Sequence, residues 1–168
     1  YTTLFRSEIT TLMTLLKSGD NVLASSELYG GTYTLLHYTL RKFGIDTSFV
    51  NPHNTQNFVD NVKENTKAIY LETLGNPNLE IPDIEEIAKI AHEADIPLVI
   101  DNTFASPYLC NPIKWGADIV VHSTTKYISG HGYAIGGVIV DSGNFDWAAS
   151  PHYSWINEAD PSYHGLNF

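Results

Sequence analysis

The chain has 168 residues, 43% hydrophobic and 17% charged, which is enough for one core of ordinary size and one domain by default. Lys plus Arg total 9 against 19 Asp plus Glu, a formal charge of −10, so a nucleic-acid partner held by phosphate neutralisation is disfavoured. The single cysteine, Cys110, excludes an intrachain disulfide framework and fits a reducing, cytoplasmic setting. No run approaches the ~20 apolar residues of a membrane span. The start is not a signal peptide, because Arg6 and Glu8 sit in a mixed polar stretch. Without an initiating methionine, and beginning inside a helical pattern, the chain reads as a piece of a longer protein.

From Ser7 to Lys17 apolar residues recur near helical spacing, and Ser18-Gly19-Asp20 ends the run. Asn21 to Ala24 reads as a strand, Ser25 to Gly31 as a loop, and Thr32 to Phe43 as a helix stopped by Gly44. A strand over Thr47 to Val50, a helix over Thr55 to Glu64 and a strand over Lys67 to Glu72 follow. Asn76-Pro77-Asn78 is a turn, and Pro82-Asp83 opens a helix through Ala94 with Ile84, Ile87, Ala88, Ile90 and Ala91 on one face. Pro97 to Ile100 is another strand, ending on Asp101. Asp118 to Val121 and Ile135 to Val140 complete the set, with Gly136-Gly137 marking a close backbone approach or a bulge. Strands that are apolar throughout and alternate with helices predict an α/β fold, a three-layer α/β/α domain around a mostly parallel sheet. Residues 1–143 form that domain in this reading. Residues 144–168 are an irregular, aromatic-rich tail with Pro151 and Pro161, too apolar for a linker.

The chemistry concentrates in Val121-His122-Ser123-Thr124-Thr125-Lys126-Tyr127-Ile128-Ser129-Gly130-His131-Gly132. An apolar strand stops at hydroxyl residues and delivers a lysine to its carboxyl end, where open α/β sheets bind ligands. Ser123 and Thr125 offer short hydroxyl donors suited to phosphate oxygens. Gly130 and Gly132 let backbone N–H groups approach an anion. The pattern suggests a lysine that forms a Schiff base beside a bound phosphate. Asp101 ends its own strand at the position matching Lys126; by itself it could equally cap a short helix beginning near Phe104. Tyr29 stands in Leu28-Tyr-Gly-Gly-Thr32 after the first strand, where a loop tyrosine could simply pack on the core, and Asn76 opens an ordinary Asn-Pro turn. His122 and His131 lack the spacing of a metal site, so none is expected. The glycines of 130–137 do not fit a dinucleotide fingerprint, since a strand rather than a helix follows them.

The run Ser-x-Thr-Lys-Tyr-x-x-Gly-His-Gly, with Asp101-Asn102-Thr103 upstream, resembles the Cys/Met-metabolism family of pyridoxal-phosphate (PLP) enzymes, from about Ser18 through nearly the whole chain. The resemblance implies part of the large domain of a type I PLP-dependent transferase, of the aspartate aminotransferase-like fold. Lys126 would hold PLP covalently and then move protons between substrate carbons, a role that calls for a partly desolvated amine, which the apolar strand before it would help supply. Asp101 would keep the pyridine nitrogen protonated, Tyr29 would stack on the ring and help a leaving group depart, Asn76 would bind the phenolic oxygen, and Ser123 and Thr125 the phosphate. The tail Asp160-Pro161-Ser162-Tyr163-His164-Gly165-Leu166 resembles a segment typical of the O-acetylhomoserine sulfhydrylase branch, and Gly31 stands where methionine γ-lyases carry a cysteine. The implied reaction is γ-replacement on O-acetyl-L-homoserine by sulfide or methanethiol in a homotetramer. Cystathionine γ-synthase, methionine γ-lyase and a non-catalytic fragment retaining the fold remain as alternatives. The sequence departs from the family at Thr3 to Ser7, which lacks the glycine of the family's phosphate loop, and neither Arg6 nor Arg41 matches a substrate-carboxylate or phosphate arginine.

Overall fold

A computed structural model describes residues 3–159 and 161–166, with the side chains of 3–6, 157 and 163 outside the described set. The described residues build a six-stranded sheet in the order β2-β1-β3-β4-β5-β6. Its strands are β1 (Asn21–Ser25), β2 (Asp46–Val50), β3 (Thr66–Glu72), β4 (Leu98–Asp101), β5 (Ile119–Ser123) and β6 (Gly137–Asp141). The first five run parallel and β6 pairs antiparallel with β5.

Alternation along the strands divides the core in two. Val22, Ala24, Ala68, Tyr70, Val99, Ile119 and Val121 point to one face, under Leu12, Leu15 and Leu16 of α1 (Thr3–Leu15) and the helical stretch beginning with α2 (Gly30–Thr34). Leu23, Ile69, Leu71, Leu98, Ile100 and Val120 point to the other, under α3 (Gln56–Asn61) and α4 (Ile84–Glu93). Both faces of a parallel sheet must be covered, which is why the inner strands β1, β3, β4 and β5 carry near-continuous apolar runs, while the edge strand β2 does not. The three layers expected from the sequence are present.

Boundaries differ where a side chain takes over a backbone group. The helix expected over Thr55 to Glu64 closes at Asn61, because Val62 turns extended (φ −64°, ψ 128°) and the Lys63 amide donates to Thr66 Oγ1 at 2.9 Å. The helix expected from Pro82 starts at Ile84 instead, with Asp83 as its N-cap accepting from the Glu86 amide at 3.1 Å. The helix expected over Thr32 to Phe43 begins at Gly30 and changes pitch, passing through a π segment (Leu35–Thr39) and a 3₁₀ segment (Leu40–Phe43). Thr47 Oγ1 donates to the Leu36 carbonyl within the π segment, and such an intrusion accompanies departures from the α-ladder. Gly44 stops the stretch at φ +77°, as a left-handed C-terminal residue. α1 extends further toward the N-terminus than the apolar stripe that starts at Ser7, since the stripe marks only what is buried.

Beyond β6, Phe145, Trp147 and Ile156 pack against the first core cluster, and Tyr153 is wholly buried within it. The Phe145, Trp147 and Tyr153 rings meet edge to face at centroid separations of 4.7 to 6.1 Å. Tyr153 Oη donates to the Lys67 carbonyl, and Ser150 Oγ to the Asp95 carbonyl at 2.8 Å. Residue 160 and the side chain of Tyr163, part of the branch-like tail motif, lie outside the described residues. Truncating a fully buried aromatic costs about 3–5 kcal/mol. Tyr153→Ala should therefore lower unfolding stability by that order in a denaturant titration, while Tyr133→Ala, at a 92% exposed position, should change it by less than about 0.5 kcal/mol.

Candidate functional site

The strand ends of β3, β4 and β5 bring three polar side chains to one face of the sheet. Glu72 is paired with Asp101 across β3 and β4, and Asp101 with Val121 across β4 and β5. By the same alternation Ser123 ends β5 on that face. Above these ends lies a cavity of about 170 Å³ lined by Tyr29, Glu72, Leu74, Asn76, Asp101, Thr103, Phe104 and Lys126. Four of the residues singled out from the sequence, Tyr29, Asn76, Asp101 and Lys126, thus come together from four separate segments. A crevice outside the carboxyl ends of parallel strands is where this kind of sheet binds ligands.

Each of the four is set by its local structure. Lys126 follows the end of β5 in a turn, its amide donating to the Ser123 carbonyl at 3.2 Å and its carbonyl accepting from Gly130 at 3.0 Å. The lysine is exposed, with Tyr127 68% and Ile128 46% exposed beside it. The strand before it ends three residues earlier at Ser123. Tyr29 is the N-cap of α2 with extended backbone, its ring 39% exposed. Asn76 opens a turn closed by bonds between Gly75 and Glu80 (2.7 Å) and between Leu79 and Gly75 (2.8 Å), with a cis Asn76–Pro77 peptide.

Asp101 is 5% exposed, and its Oδ1 accepts from the Thr103 amide at 2.8 Å. It caps no helix: α5 (Ser106–Leu109) has Ala105 at its N-cap. Burial pushes its carboxyl up to about 6 against the bonds from Thr103, and no Lys, Arg or His forms an ion pair with it among the described residues. A dry carboxylate that faces a cavity and has no ion-pair partner is matched to a ligand that brings a cation.

Ser123 and Thr125 are not among the residues that line the cavity. Ser123 Oγ is buried and has no hydrogen-bond partner, a rare condition for a hydroxyl in a native core. The Thr125 hydroxyl donates to the Gly136 carbonyl at 3.3 Å and accepts from its amide at 3.1 Å. The close approach expected at the Gly136-Gly137 pair falls on Gly136, where an added Cβ would stand 2.3 Å from Thr124 Oγ1. His122 is buried, its Nδ1 3.2 Å from the Asn102 carbonyl, and burial lowers its pKa. Gly130 and Gly132 adopt left-handed φ of 67° and 72°. Arg41 pairs with Asp46 on the surface at 3.7 Å.

Sequence reasoning passed over two carboxyls. Glu72 lines the cavity and is pushed up to about 9 by burial and then by the Asp101 charge, against the bond from the Tyr29 amide. Glu8, on α1, lies beneath it, 1% exposed, with Oε1 accepting from Thr32 Oγ1 and Tyr70 Oη, each at 2.8 Å. Burial and then Asp101 raise it to about 7, while those two bonds oppose the rise. A glutamate on the apolar stripe of a helix, level with Leu12, was the available signal.

A strand-end crevice with one lysine and two buried acids that form no ion pair, and with an orphaned buried hydroxyl close by at the end of β5, has the donor set for a phosphorylated, cationic ring bound through an amine. PLP is a group of that kind, with a ring nitrogen, a phosphate and an aldehyde. Residues 6–160 match the family described as Cys/Met metabolism PLP-dependent enzyme. The chain belongs to that family, and PLP is its cofactor.

Among relatives, the chain is 51% identical to an O-acetyl-L-homoserine sulfhydrylase of Leptospira meyeri, over 96% of this chain and 36% of the relative. It is 53% identical to a homocysteine synthase of Schizosaccharomyces pombe, over 94% of this chain and 37% of the relative. It spans little more than a third of these curated relatives. A Campylobacter jejuni protein assigned as an O-acetylhomoserine (thiol)-lyase, solved with N'-pyridoxyl-lysine-5'-monophosphate, superposes with TM-score 0.94 at 40% identity, over 99% of this chain and 41% of that one.

The raised carboxyls predict a pH signature. A group whose folded pKa exceeds its unfolded value binds extra protons in the native state, so stability falls as pH rises between the two values. For Glu8 that window runs from about 4.5 to about 7. Glu8→Gln keeps a carbonyl for Thr32 and Tyr70 and should flatten the fall in thermal midpoint of the cofactor-free protein between those values. A slope equal to that of the unmodified chain would contradict the assignment.

Proposed function

We propose that the full-length protein carries out PLP-dependent γ-replacement on O-acetyl-L-homoserine, with sulfide or methanethiol as the incoming nucleophile and acetate as the leaving group. The observation that carries the reading is the shared cavity of Lys126, Asp101, Tyr29 and Asn76, taken with relatives named for this chemistry. Bound PLP supplies an electron sink that acidifies the protons next to the amino-bearing carbon of its substrate.

Lys126 holds the cofactor through Nζ and, once released, carries protons between substrate carbons. Asp101 keeps the ring nitrogen protonated; its burial makes that contact worth far more than it would be in water. The Tyr29 ring, on the cavity wall, would stack on the cofactor, and its hydroxyl would help acetate depart. The Asn76 amide meets the phenolic oxygen, and the Ser123 and Thr125 hydroxyls serve the phosphate, Thr125 by exchanging its bond to Gly136. No arginine lines the cavity among the described residues.

We assign the protein to a cytoplasmic homotetramer. Apolar side chains left 71–92% exposed, namely Ile81, Tyr108, Leu109, Tyr133 and Ile135, support association, and the single cysteine supports a reducing compartment. No described helix is long and apolar enough to cross a membrane.

Full-length protein with PLP should absorb in the visible and lose that band with borohydride, and Lys126→Ala should lack it and turn over slower by about 10²–10⁴-fold or more. O-acetylhomoserine plus sulfide should give homocysteine. Ketobutyrate and ammonia would mark a lyase instead, and a colourless protein in excess PLP would mark a fold without the activity.

A further inference from the structure

Glu72 makes a contact that the proposed reaction leaves unused. It ends β3 on the same sheet face as Asp101, is 6% exposed and lines the cavity with Lys126. Its Oε1 accepts the backbone N–H of Tyr29 at 2.6 Å, a bond that joins the end of a central strand to a loop 43 residues away in sequence. Tyr29 is the last extended residue (φ −53°, ψ 136°) before the chain turns helical at Gly30. At such a junction, where the amide is held decides where the side chain points.

The other side of the ring is bounded as well. A Cβ built on Gly31 would stand 2.5 Å from Tyr29 Cε1 and 3.1 Å from Cδ1. A side chain there would therefore push the ring away from its observed position. We propose that Glu72 is a positioning residue for the Tyr29 ring, tying the Tyr29 amide to the end of β3 while Gly31 leaves the space into which the ring settles. The inference rests on the reading of this cavity as the PLP site and deepens it by naming what holds the stacking group.

The chemistry of the tie follows from its neighbours. Two ionised carboxyls at paired positions on adjacent strands repel, and burial with the Asp101 charge raises Glu72 to about 9. Near neutral pH it is a neutral acid whose carbonyl oxygen faces the Tyr29 amide. Glutamine reproduces that acceptor, and alanine removes it.

The test uses the full-length chain carrying Glu72→Gln, Glu72→Ala, Tyr29→Ala, the Tyr29→Ala/Glu72→Ala pair and Gly31→Ala. Hydrogen exchange at the Tyr29 amide is read without cofactor, and PLP affinity by titration of cofactor-free protein. Glu72→Ala should lose the amide's protection and weaken PLP by about 5–30-fold, the size of a one-to-two kcal/mol effect. Glu72→Gln should keep protection and stay within about 2-fold, and in the Tyr29→Ala background the Glu72→Ala step should shrink below about 2-fold, because one residue acts through the other. Gly31→Ala should weaken PLP while leaving the amide protected.

Full additivity with Tyr29→Ala, equal losses in the glutamine and alanine variants, or unchanged exchange in Glu72→Ala would overturn the proposal. If Glu72→Ala does not fold, Gly31→Ala and Glu72→Gln decide it, since undiminished PLP affinity in the first or lost amide protection in the second contradicts it. A full-length protein that binds no PLP sinks the functional reading instead, and the exchange measurement still judges the tie.

Discussion

The structure depends on an uncompensated concentration of buried acid at the carboxyl ends of β3 and β4. Glu8, Glu72 and Asp101 lie within one another's fields, each largely desolvated, with no cation paired to them among the described residues. A protein core tolerates such an arrangement by withholding ionisation, and each of the three is raised accordingly. Protons are one way to neutralise it. A cationic ring nitrogen against Asp101 is another, and binding it relieves Glu8 and Glu72 of the charge that now helps raise them. The site is thus unfavourable to folding in a way that a particular class of ligand corrects, the expected relation between strain in the empty fold and function in the filled one.

The rest of the fold serves to hold that edge in register. Glu72 and Asp101 face each other because β3 and β4 are paired residue for residue from Ile69↔Leu98 onward. A one-residue slip would turn both carboxyls into the opposite apolar layer. That register is fixed by two cores on either side of the sheet, one under α1 and the Gly30–Phe43 stretch, the other under α3 and α4. Glu8 is anchored by Thr32 and by Tyr70, so the same acid links α1, α2 and β3. The aromatic cluster of Phe145, Trp147 and Tyr153 closes the first core from the far side.

Much of this was legible in the sequence for one reason: strands buried on both faces are written as near-continuous apolar runs, and the ends of such runs are where a sheet of this kind presents polar groups to a cavity. Asp101 at the end of β4 and Lys126 in the turn after β5 were found that way. Glu72 ended its run in the same manner and was passed over, because a carboxylate with no matching partner chemistry looks like a boundary. Glu8 left only its place on the apolar stripe as a sign, since the partner that holds it, Tyr70, lies 62 residues away. The shortened helix at Asn61 and the changes of pitch after Thr34 were unreadable for the same reason: Thr66 and Thr47 act on backbone groups that no local periodicity reports.

The account stands or falls on Asp101 meeting a protonated heterocycle. Nuclear magnetic resonance of the full-length protein loaded with PLP labelled by ¹⁵N in the ring reads that proton directly. The nitrogen should be protonated through the neutral pH range in the unmodified protein and unprotonated in Asp101→Asn. An unprotonated nitrogen in the unmodified protein, or one indifferent to that substitution, would contradict it.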